Sequence, residues 1–191
     1  IHGLRDRERE WLEYASLLHD IGNHISYERH HRHSYYLIKN GDLRGFEPDE
    51  IEVIALLARY HRRAMPDRRH LGYRRLPREL RRAVRTMSVF LRLAETLDRS
   101  RNGVVTKVEV RERAGKLRLD VFAVGDAELE VWAANKQLPA LDAVLERSAN
   151  IVAHHVQEPD EAPRSKRRAA RATPVKKPMA TRARATQPSV H

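Results

Sequence analysis

The spacing of apolar residues changes once along this chain, close to residue 103, and that change restricts the folds that it can adopt. Before this point apolar residues recur every three or four positions, which is typical of amphipathic helices. After it, Leu117, Leu119 and Val121 alternate with charged residues, which is typical of half-buried strands. The chain is therefore predicted to be mainly α, with a helical bundle followed by a small α+β subdomain.

Four helices are predicted in the first part, and proline marks the start of the last two because it is favoured in a first helical turn. The first two helices are expected over 6–21 and 30–39. The third is expected to begin at Pro48 and the fourth at Pro77. A long loop is expected over 64–76. In the second part, strands are predicted over 104–111, 117–121, 128–132 and 151–156, and a helix over 139–147.

The last part of the chain lacks any apolar periodicity and is rich in Pro, Ala, Arg and Lys. This composition is typical of a disordered basic tail. The predicted boundaries are therefore 1–103 for the helical domain, 104–157 for the α+β subdomain and 158–191 for the tail. Contact between the tail and nucleic acid, through charge alone, is one expectation; a solubilising tail with no dedicated partner is the other.

Composition excludes several classes of protein. The sequence has no cysteine, so disulfides, thiolate zinc sites and cysteine nucleophiles are absent, as is common in cytoplasmic proteins. No apolar run has the length of a membrane span, and no secretory signal is visible, so no membrane partner is expected. Because the sequence begins at Ile1 and not at Met, it is expected to be a fragment of a longer chain or the product of a mis-started reading frame.

Positive charge is concentrated in one segment of the predicted bundle. The formal net charge is +11, and residues 59–85 contain eleven Arg but only two acids, Asp67 and Glu79. The planar guanidinium of arginine matches two phosphate oxygens at once, so this segment predicts a surface for polyanions. A solvated basic face without a ligand is the alternative.

The dipeptide His19-Asp20 is the strongest candidate for a metal site. It stands at the end of an apolar helix, just before Gly22, and imidazole and carboxylate are both ordinary ligands of divalent metals. A further ligand must come from another helix, and Asp98 is the best candidate because it lies on an otherwise apolar face. The alternative roles of Asp98 are helix capping or an ion pair with Arg99 or Arg101. The sequence therefore predicts a divalent metal ion, of unknown identity, held by His19, Asp20 and Asp98.

A second group of candidate residues suits phosphate. His61 lies on the apolar side of its helix and is followed by Arg62 and Arg63, which suits an anion pocket as well as a metal site. His31 and His33 lie two residues apart and so point to different sides of a helix. The predicted phosphate-binding residues are Arg62, Arg63, His31, His33 and His61.

Four segments taken in order carry a family resemblance. They are Tyr14 to Gly22, His30 to Ile38, Arg59 to Arg63 and Leu93 to Ser100. Together they resemble the C-terminal region of the exopolyphosphatase and guanosine pentaphosphate phosphohydrolase (Ppx/GppA) family, over residues 4–156.

The resemblance implies an HD-type helical domain followed by a small α+β piece. In that family these follow two actin-like catalytic domains, whose glycine-rich phosphate loops have no counterpart in this sequence. His19, Asp20 and Asp98 match three positions of the HD metal pattern, whereas its first histidine would lie upstream of Ile1. The resemblance implies polyphosphate binding, and a homodimer in the full-length protein.

The function predicted from these features is that of an accessory domain. It would bind polyphosphate and support dimerisation of an exopolyphosphatase-type enzyme in the cytoplasm, and the fragment alone would be inactive. The alternative is an autonomous metal-dependent HD phosphohydrolase using His19, Asp20 and Asp98. A third hypothesis is a nucleic-acid-binding module driven by the tail, which few aromatic residues support.

Overall fold

The computed structural model describes residues 2–156. In chain order the elements are α1 (Asp6–Leu18), a 3-10 helix (Ile21–His24), α2 (His30–Asn40), α3 (Pro48–Tyr60), α4 (Leu71–Arg75), α5 (Arg78–Leu97), β1 (Val105–Arg113), β2 (Lys116–Ala123), α6 (Glu128–Asn135), α7 (Leu138–Leu145) and β3 (Ala149–His155). Residues 2–156 belong to one compact unit. The predicted disordered tail, residues 158–191, lies outside the described residues.

The first hydrophobic core surrounds α3. Residues 53–58 of this helix are all buried, so this part of α3 is enclosed on every side, as expected of a helical segment with apolar residues all around it. Trp11 and Ala15 of α1, Ile38 of α2 and Val84 of α5 pack in the same core. The helical bundle predicted from periodicity is confirmed.

Helix α5 belongs to two cores. Val84, Met87 and Leu91 pack in the first core, whereas Val89 and Leu93 pack in a second one. The second core also contains residues of β2, α6 and α7: Leu117, Leu119, Val121, Ala134 and Leu141. One continuous helix of 20 residues therefore joins the bundle to the α+β part.

The sheet contains three strands in the order β1-β2-β3. β1 and β2 pair antiparallel through a tight turn in which Ala114 and Gly115 both have positive φ (50° and 73°), as a type I′ hairpin requires. β2 and β3 pair in parallel, and a parallel pair needs a crossover connection. Helices α6 and α7 form that crossover.

The strand predicted over 128–132 is wrong, because these residues begin α6. The Asp126 side chain accepts the N–H of Glu128 over 2.9 Å, and Glu128 and Glu130 place acidic groups in the first turn, where the helix dipole favours them. The loop predicted over 64–76 also contains the short helix α4, and the first helix ends at Leu18 rather than at residue 21.

The fold class is confirmed: a helical bundle is followed by a small α+β part. Among the helices of residues 2–156, none is long and apolar enough to cross a bilayer.

The enclosed position of α3 predicts where stability is concentrated. Leu57 is fully buried, so Leu57→Ala should lower the free energy of unfolding by about 2–5 kcal/mol, through lost transfer energy and a cavity. The matched control is Leu17→Ala on α1. Leu17 is 81% exposed, so this substitution should change the free energy of unfolding by less than about 0.5 kcal/mol. Urea denaturation measures both; equal effects would contradict the described packing.

Candidate metal centre

The 3-10 helix and the start of α2 are pressed together at Gly22. A Cβ at this position would lie 2.2 Å from the carbonyl oxygen of His30 and 2.4 Å from the amide nitrogen of Ser34. The Ser34 hydroxyl accepts the N–H of Gly22 over 2.9 Å and donates to the carbonyl of His19 over 2.5 Å. These contacts need glycine, and they place Asp20 beside the first residue of α2.

Three side chains from three separate segments meet at this point. Asp20 Oδ1 lies 3.2 Å from His30 Nε2 and 3.7 Å from His61 Nε2, and the two imidazole nitrogens lie 3.2 Å apart. Each residue thus offers one ligand atom to a common centre, and the three atoms lie within 4.8 Å of one another. His30 comes from the start of α2 and His61 from the residue after α3.

The hydrogen bonds of the two imidazoles fix which nitrogen faces the centre. His30 Nδ1 donates to the carbonyl of Tyr27 over 3.0 Å, and His61 Nδ1 donates to the carbonyl of Ala58 over 2.6 Å. A carbonyl only accepts, so Nδ1 carries the proton and each Nε2 presents a lone pair. Metal-binding histidines are commonly oriented by such a bond on their other nitrogen.

Two lone pairs that face each other repel unless a cation lies between them. Burial lowers the pKa of His61 to about 4, so His61 disfavours a second proton on its Nε2. Asp20 Oδ1 is also buried and has no hydrogen-bond partner among the described residues. An orphaned carboxylate oxygen with two imidazole lone pairs fits a divalent cation such as Zn²⁺, Mn²⁺ or Fe²⁺.

A second layer of charged groups lies on the other side of Asp20. His19 Nε2 lies 3.3 Å from Glu95 Oε2 and 3.8 Å from Asp20 Oδ2, while His19 Nδ1 donates to the carbonyl of Ser16 over 2.7 Å. Burial lowers the pKa of His19, but hydrogen bonds to Glu95 and Ser16 and the two nearby carboxylates outweigh it and raise the pKa overall. The hydrogen bond to His19 lowers the pKa of Glu95.

Arg101 completes this layer. Its Nη2 donates to Asp20 Oδ2 over 2.6 Å. Burial raises the pKa of Asp20, but the guanidinium of Arg101 and the charge of His19 outweigh it, so that the pKa lies below its ordinary value. Asp20 is therefore ionised at neutral pH, with Oδ2 satisfied by Arg101 and Oδ1 left for a cation.

The structure brings together two of the three predicted metal ligands. Asp20 is at the centre, and His19 contacts Asp20 and Glu95 on the outer side. Asp98 is outside the cluster: its side chain is exposed and lines an apolar groove with Phe90 and Leu93. The physical reason is that Asp98 is the residue that caps α5, so Glu95, one turn earlier, is the acid that faces His19.

The five predicted phosphate-binding residues differ in burial. His61 lies in the metal cluster instead. His31 is buried, and its pKa is lowered to about 4 by burial and then by neighbouring charges that include Arg63. His33 and Arg62 are half-buried, and Arg63 is exposed. Phosphate binding by these residues stays a prediction.

Sequence reasoning missed His30, Glu95 and Arg101 as members of the site. His30 begins α2, and its contact with Asp20 depends on the packing of Gly22 against the backbone of α2. That packing joins two separate elements and is not visible in a local sequence pattern. Glu95 could have been found, because it lies one helical turn before Asp98 on the same side of α5. Arg101 lies in a turn after α5, and a turn has no helical periodicity from which the direction of its side chain could be predicted.

The cluster predicts that the protein binds one divalent ion. Saturation at 100 times the dissociation constant should stabilise the fold by about 2.7 kcal/mol, which raises Tm by roughly 5–10 °C. Thermal denaturation with and without Zn²⁺, Mn²⁺ or Co²⁺ measures this. Asp20→Asn and His61→Gln should abolish the shift, whereas the control His33→Gln should keep it; a shift that survives Asp20→Asn would place the ion elsewhere.

Two comparisons with known proteins bear on identity. A segment of 51 residues, 27% of this chain, is 44% identical to the guanosine-5'-triphosphate,3'-diphosphate pyrophosphatase of Pseudoalteromonas translucida (strain TAC 125). That segment covers only 10% of the relative, so the chain spans a small part of it. The family profile described as Ppx/GppA phosphatase, domain III, matches residues 2–146. The chain therefore belongs to the Ppx/GppA phosphatase family, and the part of it that matches is domain III.

Proposed function

We propose that this domain binds phosphate-bearing polyanions, with polyphosphate as the leading ligand, for a Ppx/GppA-type phosphohydrolase. The observation that carries the proposal is an arginine-lined cleft of about 580 Å³ beside the start of α5. Five arginines line it: Arg68, Arg78, Arg81, Arg82 and Arg85. Guanidinium groups at this density create a field that attracts a chain of negative charges.

Three of these arginines form a stripe on one face of α5. Arg78, Arg82 and Arg85 are exposed, and their spacing of four and three residues puts them on the same side of the helix. Among residues 2–156, none of the three forms an ion pair with a carboxylate. The acid in the cleft, Asp67, is bound by Arg69, which lowers the pKa of Asp67 to about 2. The stripe therefore keeps its charge for a ligand.

Arg81 has a structural role in the same cleft. Its guanidinium donates to the carbonyls of Leu76 and Arg74, which holds the segment before α5 against the helix. Tyr73 is buried beneath and donates to the carbonyl of Arg81 over 3.2 Å. The cleft therefore has a fixed floor, which reduces the entropy that ligand binding must overcome.

Three further features belong to the proposal. The full-length protein forms a homodimer through this region, it acts in the cytoplasm, and the basic tail adds only sequence-independent attraction to polyanions, including nucleic acid. The family membership supports the dimer and the location, and the high positive charge supports the attraction to polyanions.

The cleft predicts salt-sensitive binding of long-chain polyphosphate. Arg78→Gln, Arg82→Gln and Arg85→Gln combined should weaken binding by roughly ten- to a hundred-fold, because several charge-assisted contacts are lost. Affinity should fall as salt rises, since the screening length shortens below about 10 Å above 0.1 M. Isothermal titration at several salt concentrations measures both effects.

A matched control separates the cleft from net charge. Arg99→Gln, Arg113→Gln and Lys116→Gln combined remove the same number of positive charges from exposed positions outside the cleft. This variant should bind polyphosphate almost as tightly as the unchanged protein. Equal weakening by both variants would mean that overall charge, and not the cleft, binds the ligand.

Metal-dependent hydrolysis of a phosphoester is a second candidate function, and the Asp20–His30–His61 cluster is the observation that favours it. A divalent ion held there would supply a Lewis acid towards a phosphoryl oxygen. Asp20, His30 and His61 would hold the ion. His19, with Glu95 on its Nε2, would be placed to donate or accept a proton on the outer side of the cluster.

This second function predicts turnover of bis(p-nitrophenyl) phosphate by the metal-loaded protein. Asp20→Asn should abolish the activity, whereas the triple arginine variant of the cleft should keep it, because the two sites use different residues. Turnover that is the same with a chelator, or in Asp20→Asn, would contradict a metal-dependent reaction at this site.

A further inference from the structure

Arg101 reaches the metal cluster from a turn that the fold holds in place. The turn follows α5, and Arg101 adopts a left-handed backbone conformation with φ of 57°. Such a conformation is unfavourable for a residue with a Cβ, so the surrounding contacts must hold it. The preceding residue, Ser100, donates its N–H over 2.9 Å to Glu130, whose carboxylate belongs to α6 and is 1% exposed. The α+β part therefore fixes the position from which Arg101 extends.

The cluster has an inner and an outer side. The side chains of His30 and His61 are 3% and 0% exposed, and they face Asp20 Oδ1. On the outer side, the side chains of Asp20 and Glu95 are each 25% exposed, and Arg101 is 63% exposed. A solute that approaches the cluster from solvent therefore meets Arg101 and the outer edge of Asp20 first.

Arg101 has hydrogen-bonding capacity beyond its contact with Asp20. A guanidinium carries five N–H donors, and the contact with Asp20 Oδ2 uses Nη2. Among residues 2–156, no other side chain accepts a hydrogen bond from Arg101. The remaining donors face solvent beside the cluster, in the planar arrangement that suits an oxyanion.

Charge at the cluster favours an anion once a cation is seated. Asp20 and Glu95 are the two carboxylates, and Arg101 offsets one of them. A divalent ion on Asp20 Oδ1 would therefore leave an excess of positive charge at the outer side. The excess is one positive charge, and a phosphoryl group offers three oxygens, one more than a carboxylate, to the ion and to the guanidinium donors of Arg101.

We propose that Arg101 is the oxyanion-binding residue of this cluster, and that it accepts a tetrahedral phosphoryl group next to the bound metal. The inference rests on the second candidate function, because it requires a metal on Asp20, His30 and His61. Arg101 holds Asp20 through one donor and binds the phosphoryl oxygens through the others. The group is either free phosphate or the terminal phosphate of a monoester.

The test measures ligand binding rather than turnover. Protein loaded with Co²⁺ and freed of excess metal is titrated with inorganic phosphate, β-glycerol phosphate or acetate, and binding is followed by calorimetry and by the visible Co²⁺ spectrum. Arg101→Gln should weaken phosphate binding about tenfold or more, because a charge-assisted contact is lost. The matched control Arg99→Gln removes an exposed neighbouring charge and should change binding less than twofold.

The outcomes separate the inference from the function on which it rests. Co²⁺ binding with phosphate affinity unchanged in Arg101→Gln would overturn the role of Arg101 and leave the metal site intact. Failure of the unchanged protein to bind Co²⁺ would overturn both. Acetate that binds as tightly as phosphate would overturn the phosphoryl assignment. Tight binding of β-glycerol phosphate would identify a monoester as the ligand, and binding of inorganic phosphate alone would identify free phosphate.

Discussion

The contact between the 3-10 helix and α2 at Gly22 is the constraint on which the site depends. The backbones approach so closely there that any Cβ would overlap with main-chain atoms of α2. The hydroxyl of Ser34 links the two segments by bonding Gly22 and His19. This approach puts Asp20 Oδ1 within reach of His30 and His61, so the chemistry of the cluster follows from a packing contact and not from a contiguous motif.

Helix α5 connects that cluster to the rest of the molecule. Its apolar residues pack in both cores, its first half carries the arginine stripe, and its last turn provides Glu95. Arg85 and Glu95 are ten residues apart, or about 15 Å along the helix axis at the standard rise. The proposed polyanion cleft and the candidate metal centre are thus separate positions on one rigid element, and each can be altered without the other.

Sequence periodicity predicted the parts of the fold that depend on local pattern. The positions of α2 and α3, the β1–β2 hairpin and β3 followed from apolar spacing and from proline and glycine. Residues 128–132 were assigned to a strand, but they begin helix α6, which with α7 forms the crossover connection that the parallel pairing of β2 and β3 requires. Such a requirement comes from topology, which a short pattern does not contain.

The site was predictable only in part, for the same reason. Asp20 could be chosen from its position at the end of an apolar helix. His30 and Arg101 could not, because they meet Asp20 through contacts that span ten and 81 residues of chain. Asp98 fits the metal-binding pattern in the sequence, but it caps the end of α5 and is exposed to solvent. Glu95, and not Asp98, is the acid of α5 that lies at the cluster.

Anomalous X-ray diffraction at the absorption edge of a soaked metal, Zn²⁺ for example, tests the central claim most directly. The account predicts one strong anomalous peak about 2.0–2.2 Å from Asp20 Oδ1, His30 Nε2 and His61 Nε2. A crystal with no peak at these three atoms, or with the ion bound by Asp98 instead, would contradict it.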